Sequence, residues 1–315
     1  MHDFRFSCNI FAIRSADGFT EYCRAAEQFG YDVIFSSDHF ESPAPFSPLI
    51  AAAAATERAR VGTLVLNIGL WNPHVLAREI ATADLLTNGR LEIGVGIGHM
   101  RWEFDVAGLP WRPLPERAEM LESALDELEK IFISGGYPQG RQVREFFNFP
   151  ALAPVQRRGL HGSGPPLIIG GTGDRMLELA ARRADTVSVS GLFPVAGQPA
   201  GALRMGTAAE TDERIRFIRD HAGERASELE LHQLVHAVVV TGDRVATARG
   251  MVEEQMPFFT VDELLESPFA LIGTVDEIAD QLRRNRERFG FSFITVLEPH
   301  MEAFGPVIKR FRGEA

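Results

Sequence analysis

The chain predicts an α/β fold of one kind, a (β/α)8 TIM barrel with insertions, and three features of its 315 residues point there. Eight short apolar runs of strand type recur, nearly every one followed by a run of helical periodicity. Such strict alternation implies parallel strands, and eight of them close into a barrel. A glycine-rich turn follows the fifth run, at Pro165–Asp185, whereas an open dinucleotide-binding sheet carries its turn in the first unit.

The elements read as follows. A strand at Phe4–Ile10 leads to a helix from about Asp17 to Phe29, closed by Gly30 just past its end. Val33–Ser36 is the second strand, and an Ala-rich helix over Phe46–Arg58 leads to the third, Val61–Asn67. Asn72-Pro73 supplies an N-cap and a first-turn proline for a helix reaching Thr87. Asn88-Gly89 turns the chain into the fourth strand, Leu91–Ile97, and the helix Pro115–Phe132 follows with Leu121, Leu125, Leu128 and Phe132 on one face.

Leu167, Ile168 and Ile169 form the fifth strand, and Asp185–Ser190 the sixth. A helix at Ala208–Ala222 precedes the seventh, Glu230–Thr241, and a helix at Asp243–Gln255 comes next. Thr274 and Glu277 make a capping box for a helix ending at Gly290. Phe291–Leu297 is the eighth strand, and Pro299 opens a terminal helix. The expectation is one domain over residues 1–315, with aperiodic insertions at about 134–166, 191–206 and 256–273; the second is a candidate lid.

Composition narrows the function. With 43 acidic against 32 basic side chains and a formal charge of -11, the chain does not read as a nucleic-acid binder. Cys8 and Cys23 lack metal or redox spacing and read as small core residues. The N-terminus lacks the layout of a signal peptide, and no apolar run approaches a membrane span, so the expectation is a cytoplasmic protein without a membrane partner.

The turn Gly170-Gly171-Thr172-Gly173 joins a strand directly to a helix, which makes a phosphate cradle: glycines let backbone approach an anion, and first-turn N–H groups favour negative charge. Its spacing fits neither the dinucleotide nor the nucleoside-triphosphate fingerprint. The plain alternative is a tight turn with no ligand. Barrel chemistry gathers at the C-terminal ends of strands. That rule selects Asp38 and His39, Asn67, Gly96, Gly98, His99 and Glu103, the 170–173 turn, Ser190, Glu298 and His300. Glycines on the fourth strand suit a flat ring lying close to backbone. The plainer roles are a loop-ordering pair for Asp38 and His39, a cap for His99, and a salt bridge with Arg117 for Glu103. His232 and His236 have metal-ligand spacing, but they fall on a core strand, so no metal is expected.

These residues match a known family. Ser37-Asp38-His39-Phe40, the run Val61–Asn67 with Asn72-Pro73, the run Asn88–Gly98, Glu103 with Gly108, Pro110 and Arg117, and the stretch Pro165–Asp185 together resemble the bacterial-luciferase-like superfamily, in particular its coenzyme F420-dependent oxidoreductases. The resemblance implies a (β/α)8 barrel, often a homodimer, with a flavin-like ring over the ends of strands two to four. Asp38 and the backbone at Leu64, Val65 and Asn67 would meet the ring, Gly96 and Gly98 would flank it, and Gly170, Gly171, Thr172 and Gly173 would hold the phosphate. It also implies a non-proline cis peptide in the third-strand segment, and a histidine, here His39, that positions or protonates substrate. Some F420-dependent members have an acidic proton donor where this chain has His99, so His99 and Glu103 are both candidates for that role. The resulting expectation is hydride transfer between coenzyme F420 and a small organic molecule or a modified-peptide side chain. The alternatives are an FMN-dependent monooxygenase and a non-catalytic flavin-binding relative.

Overall fold

A computed structural model describes residues 2–195, 197 and 202–313, and a closed barrel of parallel strands lies at its centre. The first half contains β1 (Arg5–Ile10), α1 (Ala16–Phe29), β2 (Val33–Ser36), α2 (Phe46–Ala55), β3 (Arg60–Thr63), β4 (Leu66–Asn67), α3 (Pro73–Leu86) and β5 (Leu91–Gly96). Next come α4 (Arg101–Ala107), α5 (Leu114–Ile133), α6 (Arg141–Phe147), β6 (Leu167–Gly171), α7 (Asp174–Arg183) and β7 (Thr186–Val189). The rest comprises β8 (Leu192–Pro194), β9 (Leu203–Met205), α8 (Ala208–Ala222), β10 (Glu230–Val235), β11 (Ala237–Val240), α9 (Arg244–Glu254), α10 (Val261–Glu266), β12 (Ala270–Gly273), α11 (Val275–Phe289), β13 (Phe291–Val296) and α12 (Met301–Arg312).

Hydrogen-bonded neighbours run β3-β2-β1-β13-β10-β7-β6-β5, and a β3–β5 pairing closes the ring. The helix ends follow local chemistry. Gly30 takes the left-handed conformation (φ 93) that stops α1, the Asn72 side chain accepts from the His74 and Val75 amides, and Thr274 with Glu277 forms a reciprocal box.

Four segments differ from the sequence expectation. The third barrel strand is two pieces, β3 and β4, where one continuous strand was expected; the cis peptide between Leu64 and Val65 that parts them is the non-proline cis bond that the resemblance implies for this segment. Its pairing with β5 slips by one residue between Gly62↔Glu92 and Leu66↔Val95, so one residue here bulges out of the ladder. The run Glu230–Thr241 also breaks, because the His236 amide donates to the Phe269 carbonyl and carries β11 away to pair with β12. The 256–273 stretch therefore holds α10 and β12 in place of irregular chain. The expected lid at 191–206 is an antiparallel hairpin of β8 and β9; its residues 196 and 198–201 lie outside the described residues.

Apolar side chains pack in two places. A large cluster fills the space between strands and helices, and Val33, Phe35, Ile168 and Phe293, with Leu64, form a smaller one inside the barrel. Cys8 and Cys23 are free and buried, and burial pushes both thiols up to about 12. Beside Phe293, fully buried His232 bonds Ser188 Oγ (2.8 Å) and Thr295 Oγ1 (2.6 Å), and burial lowers its pKa to about 3. No described helix is long and apolar enough to cross a membrane.

The N-terminal end of the barrel is closed by charge. Arg5 at the start of β1 donates to Glu92 (2.5 Å) and to Glu230 (2.8 Å), and Arg60 donates to the same Glu92 oxygen (2.5 Å). Each charge there has a counter-charge within hydrogen-bond distance, the condition under which buried ions are tolerated.

Candidate active site

The opposite end of the barrel is built differently. His39 follows β2, and its Nδ1 meets Glu103 Oε1 on α4 at 2.9 Å; the Phe40 amide donates to the same oxygen at 3.3 Å. Glu103 is only 1% exposed, and its Oε2 has no partner. A carboxylate oxygen accepts, so Nδ1 is the donor in this pair and Nε2 is left outside it. The His99 ring stands edge-on to that of His39, with centroids 5.5 Å apart. The surrounding protein, and then the neighbouring His39 charge, lower the pKa of His99 from the usual imidazole range.

Asp38 is turned inward. Its Oδ2 accepts from the Asn67 amide at 3.0 Å and from Trp71 Nε1 at 2.8 Å, which ties the loop after β2 to the end of β4. Burial raises its pKa, with the Trp71 and Asn67 bonds working against the rise. Asn67 in turn accepts from the Gly69 amide and leaves its buried Nδ2 without a partner.

The glycines of β5 serve this third-strand segment. A Cβ on Gly94 would fall 2.1 Å from the Thr63 carbonyl oxygen, one on Gly96 2.7 Å from Val65 Cγ2, and one on Gly98 2.5 Å from Asn67 Oδ1. Val65 also sits 3.3 Å from the Cβ position of Gly170. The absent side chains thus admit Val65 and Asn67 close against β5, and Leu64 and Val65 stay half-buried at this end of the barrel.

The glycine turn has one crowded and one open position. A Cβ on Gly171 would reach within 2.6 Å of Met176 Cβ, whereas nothing lies within 4 Å of Gly173. Gly173 is the N-cap of α7, and no side chain caps that helix; the Met176 amide donates to the Gly173 carbonyl, which leaves the amides of Asp174 and Arg175 available to an anion. Thr172 Oγ1 pairs with Ser190 Oγ at 2.7 Å, and the Ser190 carbonyl accepts from His236 Nε2 at 2.7 Å.

Two sequence expectations need correction. Arg117 does not pair with Glu103: it donates to the carbonyls of Ile97 (3.2 Å), Gly98 (2.5 Å) and Arg112 (3.1 Å) and lies over the Trp111 ring at 3.8 Å. Two of those carbonyls follow β5 and the third precedes α5, and a planar guanidinium with five donors spans them better than a lysine would. Glu298 is engaged with backbone, accepting from the Phe11 and Ala12 amides. Trp71 escaped sequence reading, since a single tryptophan in a loop carries no periodic signal.

A family model described as luciferase-like monooxygenase matches residues 4–292. The chain belongs to that family. The luciferase-like barrel is also what its relatives share. An F420-dependent glucose-6-phosphate dehydrogenase from Beutenbergia cavernae is 28% identical over 299 residues, covering 89% of this chain and 87% of that one. A 5,10-methylenetetrahydromethanopterin reductase from Methanopyrus kandleri is 25% identical over 296 residues and covers 82% of each. The solved structure of a long-chain alkane monooxygenase superimposes with a TM-score of 0.71 at 14% identity, over 99% of this chain and 92% of that one, and so has the same fold. In this luciferase-like chain, three segments distant in sequence bring together the imidazole of His39, the buried Glu103 and the third-strand segment Leu64–Asn67.

Proposed function

We propose that the chain is an oxidoreductase that transfers a hydride between coenzyme F420 and a small organic substrate, with His39 as the proton-handling residue. The observation that carries this function is the His39–Glu103 pair at 2.9 Å, at the end of the barrel where the glycine turn leaves α7 uncapped. The residues present suit an anionic flavin-like coenzyme: Gly170, Gly171, Thr172 and Gly173 would take the phosphate, and Leu64, Val65, Asn67, Gly96 and Gly98 would border the ring. The unpartnered Asn67 Nδ2 is a donor available at that border. When bound, the coenzyme would give or take the hydride, a two-electron chemistry no side chain offers.

This chain's own residues do the rest. Glu103 fixes the His39 tautomer and ring orientation, so that Nε2 delivers or accepts a proton as charge develops on the substrate. Asp38 holds the loop that carries His39 in register with β4 through Asn67 and Trp71. Arg117 fixes the carbonyls of Ile97 and Gly98 and thereby the start of the segment that bears His99 and Glu103. The F420-dependent relative with 28% identity supports the choice of coenzyme. An FMN-dependent monooxygenase is the second reading, favoured by the family description itself. Titrating the purified protein with F420 and with FMN, followed by fluorescence, separates them: saturation by F420 alone is expected, and saturation by FMN alone would overturn the proposal.

A further inference from the structure

The relative that is a glucose-6-phosphate dehydrogenase invites the transfer of a sugar-phosphate substrate to this chain. The mouth of the barrel argues otherwise. Seven of the connecting segments at that end (11–15, 37–45, 68–72, 97–113, 172–173, 190–207 and 297–300) contain no lysine and only Arg14, Arg101, Arg112 and Arg204, and the long connection after β10 places its first arginines, Arg244 and Arg249, on α9. Three of the first four are already paired: Arg101 with Asp105 (3.6 Å), Arg112 with Glu116 (3.2 Å) and Arg204 with Glu210 (2.5 Å). Arg14 lines a side cavity of about 450 Å³ together with Glu298 and Glu302. The same segments carry Asp38, Glu41, Glu103 and Glu298 besides Asp105, so acidic residues are at least as numerous as the arginines there, and of those four arginines only Arg14 has no carboxylate partner among the described residues.

What the mouth offers instead is aromatic surface. Phe40 follows His39 and Trp102 precedes Glu103, so the residues flanking the hydrogen-bonded pair are themselves a pair. Their rings meet edge to face at 6.2 Å and remain 47% and 42% exposed. Aromatic rings left half in water at the side of a catalytic dyad are ready to stack on a flat apolar ligand. The hairpin of β8 and β9 adds half-buried Leu192 and Phe193 and exposed Leu203 at the same end, with no charged residue before Arg204.

We infer that this site takes an uncharged apolar or aromatic substrate, seated on Phe40 and Trp102 beside the His39–Glu103 pair, and not a phosphorylated one. The inference rests on the proposed location of the active site, and it is separable from the choice of coenzyme because it is read by binding alone. Equilibrium dialysis of the full chain would use menadione, an uncharged naphthoquinone, and glucose 6-phosphate as probes. Menadione is expected to bind saturably, Trp102→Ala to weaken it about tenfold, and Trp102→Phe to restore most of the loss. Glucose 6-phosphate is expected not to bind at the same concentrations. Both tryptophan variants alter a side chain that is half exposed, and an unchanged thermal midpoint confirms their fold. Binding of glucose 6-phosphate without menadione, or menadione binding indifferent to both Trp102→Ala and Phe40→Ala, overturns the inference. Ring-dependent menadione binding by a protein that binds no F420 upholds the inference and removes the proposed coenzyme.

Discussion

The two ends of the barrel are made from the same strands and solve opposite problems. At the N-terminal end, Arg5, Arg60, Glu92 and Glu230 neutralise one another at 2.5–2.8 Å. At the C-terminal end, Glu103 is as deeply buried as Glu92, yet it holds a partly exposed imidazole and one of its oxygens is unpartnered. Closed charge networks hold a scaffold; an unfinished one has capacity left for a ligand or a proton. The difference teaches that burial of a carboxylate is uninformative until its partners are counted.

That contrast can be attacked from either end. The largest expected effect is chemical: His39→Ala should lower turnover with the coenzyme by about 10²–10⁴-fold while coenzyme affinity changes only a few-fold, as steady-state kinetics and titration would show. At the other end, Glu92→Gln should reduce unfolding free energy by about 3 kcal/mol in urea, because it removes the carboxylate partner of Arg60 and one of the two of Arg5, with turnover per folded molecule preserved. A large loss of turnover there would break the division between the ends.

The middle of the barrel adds a pH term. His232 is neutral when folded, with a pKa of about 3, so the unfolded chain binds the extra proton between roughly pH 3 and 6.5. Its contribution is complete above about pH 6.5 and is lost as pH falls, at up to about 1.4 kcal/mol per unit. Relative to His232→Gln, the wild type should therefore lose stability with acidification, and parallel profiles would remove His232 from the account. The smallest effects separate two glycines. Gly98→Ala, at φ 70 and against Asn67, should cost about 1–2 kcal/mol, whereas Gly173→Ala, in open space at φ -77, should stay within about 0.5 kcal/mol in thermal unfolding.

Much of the fold was legible because alternation and caps are local signals. Gly30, Asn72-Pro73 and Thr274 with Glu277 mark the helix ends where the structure has them. The cis peptide of the third strand came only from the family resemblance, which did not place it at Leu64–Val65, and the break at His236 left no local mark, since each depends on a partner far away in sequence: β5 for the first, Phe269 for the second. Among site residues, the rule that chemistry gathers at strand ends found His39 and Glu103 but could not pair them. Spacing instead suggested Arg117 for Glu103, and only the packing of α4 against the loop after β2 decides between a cation on the next helix and an imidazole 64 residues away. The fourth-strand glycines were legible as places of close approach, but not that Thr63, Val65 and Asn67 of the third-strand segment are what approach them.

Glu103→Gln tests the central contrast most directly, through unfolding free energy and single-turnover hydride transfer measured on the same preparation. The account predicts stability held or raised, because a half-satisfied buried charge is removed, together with a transfer rate at least about tenfold slower. Stability lost by several kcal/mol with the rate unchanged would make Glu103 a scaffold residue like Glu92 and would contradict it.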